Sequence, residues 1–150
     1  SGNANCCTGD QGARDARRTA EIAAEALGLR PEEIAVSSTG VIGHLLDMAK
    51  LERGVRAAAD ALGDDPNPFK EAILTTDLVE KEAVAAVRGT GAVVYGVAKG
   101  SGMIAPNMAT MLVYLATDAD ADGLDLAGIV ARVADRTFNR MSVDTDTSTN

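Results

Sequence analysis

Hydrophobic and polar residues recur along the chain with two periods, one typical of helices and one of strands. The helical period predicts four helices, over residues 10–27, 45–62, 69–74 and 124–138. Gly28 and Gly63 follow the first two, and a glycine just past the last apolar position is a common helix end. The last helix is clearly amphipathic, and its apolar positions are Leu126, Ile129, Val130 and Val133.

Short apolar runs rich in valine predict the strands. Two of them, 82–87 and 92–98, are joined by the turn sequence RGTG, and a third covers 111–116. A shorter buried strand is predicted over 34–36, before a Ser-Thr-Gly turn. The alternation of helices with strands predicts an α/β (α+β) fold in which helices and sheets form layers.

Composition narrows the class of protein. The chain has 150 residues, of which 46% are hydrophobic, so it is long and apolar enough to form a core. Its formal net charge of -8 gives no basic surface for nucleic acid. No apolar run approaches the roughly 20 residues of a membrane helix, so no membrane association is expected. The adjacent Cys6 and Cys7 are interpreted as reduced thiols of a cytoplasmic protein.

Three turns of small residues follow predicted helices or strands. They are SSTGVIG (37–43), LTTD (74–77) and KGSG (99–102). Turns of this kind can direct several backbone N–H groups at one point, as an anion or a developing oxyanion requires. Each turn taken alone is also compatible with a purely structural role. A nucleotide-binding loop is disfavoured, because Lys99 precedes its glycines instead of following them.

Thr110 is the candidate nucleophile. It lies in KGSGMIAPNMATML, where a glycine-rich approach and the small residue Ala109 precede it. A threonine in mid-chain is a weak nucleophile, but an N-terminal threonine can use its own α-amine as the base. The chain has a single histidine, His44, so acyl chemistry without a Ser-His-Asp triad would suit it. The peptide bond before Thr110 would first have to be cut.

Several motifs, in order, carry a family resemblance: SGNAN…TG, STGVIG, TTD, KGSGMIAPNMATML, TDA and FNRMSVDTDTSTN. Together they resemble the ornithine acetyltransferase family, the bifunctional glutamate N-acetyltransferases of arginine biosynthesis, over essentially the whole chain. The resemblance implies the layered helix-sheet-sheet-helix fold of that family. It also implies self-cleavage between Ala109 and Thr110 into α and β chains that assemble as a heterotetramer. Residues 1–150 would then be a central segment of a longer protein, spanning the end of the α chain and the start of the β chain.

The resemblance also implies roles for individual residues. Thr110 would be the nucleophile, Thr39 and Gly40 the oxyanion hole, and Thr76, Lys99 and Thr110 the substrate contacts. The implied reaction is ping-pong transfer of an acetyl group from N-acetylornithine to glutamate, through an acetyl-threonine intermediate and without cofactor or metal. Acetyl-CoA, which part of the family accepts as donor, stays open as a further substrate.

Other interpretations stand beside this one. A self-cleaving aminopeptidase of related architecture would use water as the acceptor, and a binding module would keep the fold without the chemistry. Lys99 could be a solvated lysine on a turn, and Thr76 could only cap the turn before Asp77. Asp144 and Asp146 could suggest a metal site, but they alternate as in a strand and lack a loop glycine, so no metal is expected.

Overall fold

Residues 2–104, 111–144 and 146 are described by a computed structural model, in which residues 1–66 and 67–150 form separate compact units. The first unit contains β1 (Gly2–Asn3), α1 (Gly9–Leu27), a 3-10 helix (Pro31–Glu33), β2 (Gly40–Val41) and α2 (Met48–Asp60). The second contains α3 (Asn67–Ile73), β3 (Lys81–Ala86), β4 (Val93–Lys99), β5 (Leu112–Thr117), α4 (Leu126–Arg136) and a 3-10 helix (Phe138–Arg140). The mixed helix and sheet class predicted from the sequence is confirmed.

Helices α1 and α2 pack against each other in the first unit. Helix α1 ends as predicted, because Gly28 adopts the left-handed conformation with φ +68° and its N–H bonds the carbonyl of Ala24. Ile22 on α1 is 1% exposed and is the most deeply buried large residue of the described chain. At the surface, Arg56 of α2 donates to Glu25 of α1 at 2.9 Å. Close packing and a surface ion pair therefore join the two helices.

The predicted strand over 34–36 is wrong. Residues 31–33 form a 3-10 helix, the N–H of Ile34 closes it onto Pro31, and Val36 is 40% exposed. The short parallel ladder of this unit instead joins Gly2 to Gly40 and Asn3 to Val41. A strand needs a partner strand for its backbone hydrogen bonds, and here β1 pairs with residues 40–41 and not with residues 34–36.

The second unit is built on an antiparallel sheet in the order β3-β4-β5. Lys81 pairs with Ala98 across the first ladder and Lys99 with Leu112 across the second, so β4 is the central strand. Phe69 of α3 meets Tyr114 of β5 edge to face, with ring centroids 5.0 Å apart. All three predicted strands are confirmed, with ends that differ by about one residue.

Asp125 caps the N-terminus of helix α4, since its carboxylate accepts the N–H of Gly128 at 2.9 Å. The predicted amphipathic helix is therefore present, although it is shorter at both ends. Leu126, Val130 and Val133 on its apolar stripe are 51%, 51% and 49% exposed. The described residues thus leave much of this stripe open. The strand-like alternation predicted at the end of the chain is absent from residues 141–144 and 146, and its other positions lie outside the described residues.

Candidate active site

The Thr39–Gly40 pair lies at the start of the parallel ladder in the first unit. Gly40 has φ +130°, and a Cβ placed on it would lie 2.2 Å from the carbonyl oxygen of Gly2. Two further hydrogen bonds continue the ladder, from the N–H of Ala4 to Val41 and from the N–H of Gly43 to Cys6. The close approach of the two backbones therefore requires glycine at position 40.

The asparagine-rich segment SGNAN fixes the turn that carries this pair. The N–H of Asn5 donates to the hydroxyl of Ser38 at 2.9 Å, and the Asn5 side chain donates to the carbonyl of Gly12 at 2.7 Å. The side chain of Asn3 donates to the carbonyl of Leu45 at 3.3 Å. Both asparagines thus hold backbone in place around the Ser-Thr-Gly turn. Neither asparagine was assigned a role from the sequence, although two side-chain amides within a tight turn were an available signal.

The other two predicted turns meet in the second unit. The hydroxyls of Thr76 and Ser101 are 2.7 Å apart, and the N–H of Gly100 donates to the carboxylate of Asp77 at 2.7 Å. Thr76 and Lys99, which are 23 positions apart in the sequence, therefore lie on turns joined by two hydrogen bonds. The interpretation of Thr76 as a simple cap does not account for its bond to Ser101.

Lys99 is a buried cation. The residue is only 3% exposed, at the end of the central strand β4, so the interpretation of a solvated lysine on a turn is wrong. Burial lowers the pKa of its ammonium, the negative charge of Asp77 opposes this, and the positive charge of Lys81 adds to it. The residue therefore places a buried positive charge at the end of β4.

Asp77 is the residue that the sequence analysis missed. Its side chain has no exposed surface and accepts hydrogen bonds from the Lys81 ammonium and the N–H of Gly100. Burial alone would raise the pKa of this carboxyl, but the hydrogen bonds from Lys81, Gly100 and Thr75 hold the pKa below its usual value. Its place directly after Thr76 in the TTD motif was the available signal.

A second carboxylate closes the turn that leads toward Thr110. The Oδ2 of Asp144 accepts the N–H of Met103 at 2.7 Å, and its Oδ1 accepts the N–H of Asp146 at 3.1 Å. The bond from Met103 is the main reason that the pKa of the Asp144 carboxyl is lowered. Among residues 2–104, 111–144 and 146, no three His, Cys, Asp or Glu side chains are grouped to hold a metal ion.

The predicted site residues lie on separate segments of the chain. Ala109 and Thr110, the predicted cleavage site and nucleophile, lie outside the described residues. Thr76 and Lys99 are brought together within the second unit, and Thr39 and Gly40 lie together in the first. Cys6 is buried, Cys7 is exposed, and both are free thiols with their sulfurs 3.8 Å apart.

The chain combines a mixed α/β fold with a glycine-rich parallel ladder. It also has a buried lysine where the Thr-Thr-Asp and Lys-Gly-Ser-Gly turns are hydrogen-bonded to each other. Comparison with known proteins identifies the family of the chain. The ArgJ family profile matches residues 1–150, and the chain belongs to that family. It is 53% identical over 153 residues to the arginine biosynthesis bifunctional protein ArgJ of Symbiobacterium thermophilum, covering 100% of this chain and 38% of the relative. It is 52% identical to the protein of the same name from Thermus thermophilus, covering 99% of this chain and 38% of the relative.

A solved structure agrees with these relatives. The crystal structure of the arginine biosynthesis bifunctional protein ArgJ from Bacillus halodurans is 42% identical, with a TM-score of 0.62 over 74% of this chain and 58% of that one. The chain spans 38% of the length of the curated relatives named above. Of the helices in the described part of the chain, none has the length and apolar character needed to cross a bilayer.

Proposed function

We propose that the protein containing this chain transfers an acetyl group from N-acetylornithine to glutamate in arginine biosynthesis. The observation that carries the proposal is Lys99, a cation that is 3% exposed and lies on a turn hydrogen-bonded to that of Thr76. Both substrates present an α-carboxylate beside the reacting nitrogen. In a chain of net charge -8, such ligands need a local cation to bind. The names of the related proteins, which place them in arginine biosynthesis, support the same substrates.

Thr110 is the nucleophile in this proposal, and it is released by self-cleavage. The hydroxyl of Thr110 attacks the carbonyl of Ala109, the peptide bond breaks to give an ester, and water hydrolyses that ester. The products are a carboxylate on Ala109 and a free α-amine on Thr110. That amine then serves as the base for the hydroxyl, since its ordinary pKa of about 7.7–8.0 lies near the working pH.

The transfer itself proceeds in two half-reactions. The hydroxyl of Thr110 attacks the acetyl carbonyl of N-acetylornithine, its proton passes to the α-amine and then to the departing ornithine nitrogen, and an acetyl ester remains. The amine of glutamate attacks that ester and leaves with the acetyl group. One amide replaces another, so the overall free-energy change is small and no cofactor is consumed. Acetyl-CoA would form the same ester if it served as donor.

Thr39 and Gly40 would stabilise the negative oxygen of both tetrahedral intermediates. Support comes from the fixed backbone at Gly40, where a Cβ would lie 2.2 Å from the Gly2 oxygen, and from the hydrogen bonds of Asn5 and Asn3 around the turn. A donor that is already fixed needs no reorganisation when the charge develops, which is the condition for strong oxyanion stabilisation.

In this proposal residues 1–150 are a central segment of the enzyme. The α chain ends at Ala109 and the β chain begins at Thr110, and processed chains assemble as a heterotetramer in the cytoplasm. The length of the relatives, of which this chain spans 38%, supports a longer protein with further substrate contacts.

Thr110→Ala in the full-length protein tests the proposal. We expect a single uncut polypeptide by intact-mass measurement and no transfer of acetyl groups to glutamate. Thr110→Ser, which keeps the hydroxyl, is the control and should still be cut. A fully processed Thr110→Ala protein would overturn the assignment of the nucleophile. If the wild-type enzyme releases ornithine from N-acetylornithine as fast without glutamate as with it, water is the acceptor and the aminopeptidase interpretation is favoured.

A further inference from the structure

The buried carboxylate of Asp77 has no role in the proposed reaction, yet it touches both turns of the candidate site. We propose that Asp77 is a positioning residue, which joins the Thr76 turn to the Lys99–Gly100 turn and supplies the negative charge that keeps the buried Lys99 an ammonium. The inference rests on the proposed function, in which Lys99 binds a substrate carboxylate.

Asp77 joins the two turns through a hydrogen bond to backbone. Its side chain is fully inaccessible and accepts the N–H of Gly100 at 2.7 Å. Gly100 has φ +144°, which only glycine adopts readily, so the backbone next to Lys99 is held in one conformation. The adjacent Thr76 is bonded to Ser101 at 2.7 Å. Asp77 thus fixes the backbone that carries Lys99 relative to the backbone that carries Thr76.

Burial and two nearby charged side chains act on the pKa of Lys99. Desolvation lowers the pKa of Lys99, Asp77 raises it, and Lys81, the first residue of β3, lowers it. Leu112, the partner of Lys99 on β5, carries no charge. Burial therefore works against the ammonium, and the Asp77 carboxylate favours it.

Lys70 of α3 pairs with two glutamates at the start of β3. The ammonium of Lys70 on α3 lies 3.1 Å from Glu80 and 3.0 Å from Glu82, and the hydroxyl of Tyr95 also donates to Glu82. The pKa of Lys99 responds instead to Asp77 and Lys81. Changes at Asp77 and Lys81 are therefore expected to control its protonation.

The sign of the pH effect follows from these charges. Lys99 binds a carboxylate while it is protonated, so KM for both substrates should rise as the pH passes upward through its pKa. Removing the charge of Asp77 lowers that pKa and should start the rise at a lower pH. The Asp77 carboxylate favours the protonated form of Lys99, so we expect its removal to move the KM profile to lower pH. At low pH, where Lys99 is protonated in both, the wild type and the variant without the Asp77 charge should bind the substrates equally well.

The experiment measures KM for N-acetylornithine and for glutamate between about pH 6 and pH 10, in full-length processed enzyme. Asp77→Asn keeps an oxygen that can accept the Gly100 N–H and removes only the charge. Asp118→Asn is the matched control. Like Asp77, Asp118 accepts a backbone N–H at 2.7 Å, but its donor is Val93, at the opposite end of β4 from Lys99. We expect a downward shift of the profile for Asp77→Asn and none for Asp118→Asn.

Two results would overturn the inference. One is a KM profile of Asp77→Asn that coincides with that of the wild type. The other is a KM raised by the same factor at every pH, which a loss of structure would produce without any change in Lys99. If Asp77→Asn does not fold, the KM profile of Lys81→Met tests the inference in its place. Lys81 is 40% exposed and lowers the pKa of Lys99, so its loss should move the profile upward, and an unmoved profile would contradict the inference.

Lys99→Met separates this inference from the proposed function. If that variant leaves KM unchanged, Lys99 binds no substrate and the proposed site is wrong, together with the inference that depends on it. If Lys99→Met raises KM while the profiles of Asp77→Asn and Lys81→Met stay in place, the proposed function stands and only the role of Asp77 is refuted.

Discussion

Adding one methyl group at Gly40 should distort the backbone that carries the proposed oxyanion hole. In Gly40→Ala the new Cβ would lie 2.2 Å from the oxygen, 2.4 Å from the carbonyl carbon of Gly2 and 2.9 Å from the nitrogen of Asn3. These atoms are backbone and belong to the paired strand, so none can rotate away as a flexible side chain would. The residue would also have to keep φ +130°, a region that L side chains rarely adopt.

The loss of stability expected for Gly40→Ala is the sum of backbone strain and steric overlap. Backbone strain of this kind costs about 1–3 kcal/mol, and overpacking costs about 1–3 kcal/mol more. We therefore expect the free energy of unfolding to fall by about 2–6 kcal/mol, or the ladder to open locally. An opened ladder would move the backbone N–H of residue 40, and the rate of acetyl transfer would fall as well.

Two other glycines make a graded series with Gly40. Gly43 has φ +79° with nothing within 4 Å of an added Cβ, so Gly43→Ala should show the backbone strain without the contact. Gly54, inside α2, has neither a positive φ nor a close neighbour, so Gly54→Ala should raise stability by about 0.5–1 kcal/mol.

Urea denaturation of the full-length protein and its variants would measure the series. The expected order of stability is Gly54→Ala, wild type, Gly43→Ala and Gly40→Ala. If Gly40→Ala is as stable as Gly43→Ala, the contact with Gly2 relaxes without cost, and the argument that this backbone is rigid fails.

Three further changes have defined outcomes. Thr39→Ala should lower kcat by about 10²–10³-fold, the usual cost of one oxyanion donor, and a wild-type rate would argue against a side-chain role. Lys99→Met should raise KM for both substrates by about tenfold or more, as loss of a charged hydrogen bond does, and gel electrophoresis should still show self-cleavage. If it blocked cleavage and spared binding, Lys99 would instead shape the scissile turn. Asp125→Ala should cost about 1 kcal/mol in urea denaturation by removing the cap of α4, whereas Asp125→Ser should keep most of it.

The residues that end or begin an element act locally, and these could be read from the sequence. Gly28 ends α1 through its own backbone conformation, and the apolar period over α4 predicts a helix whether or not its stripe is covered. The apolar runs over β3, β4 and β5 likewise predicted the strands with their approximate bounds. The turns of small residues were also visible, and the family resemblance that they carry implied the roles of Thr39, Gly40, Thr76 and Lys99.

What the sequence could not supply was the pairing of distant segments. The apolar residues 34–36 look like a strand, but a strand needs a partner, and β1 bonds residues 40–41 instead. Asp77 looks like the polar end of a turn, and only its contact with Gly100, 23 positions away, makes it a buried carboxylate. Lys99 is polar by type and buried by position, because it ends the central strand of the sheet. Local conformation is decided by neighbours in the chain, whereas burial and charge pairing are decided by neighbours in space.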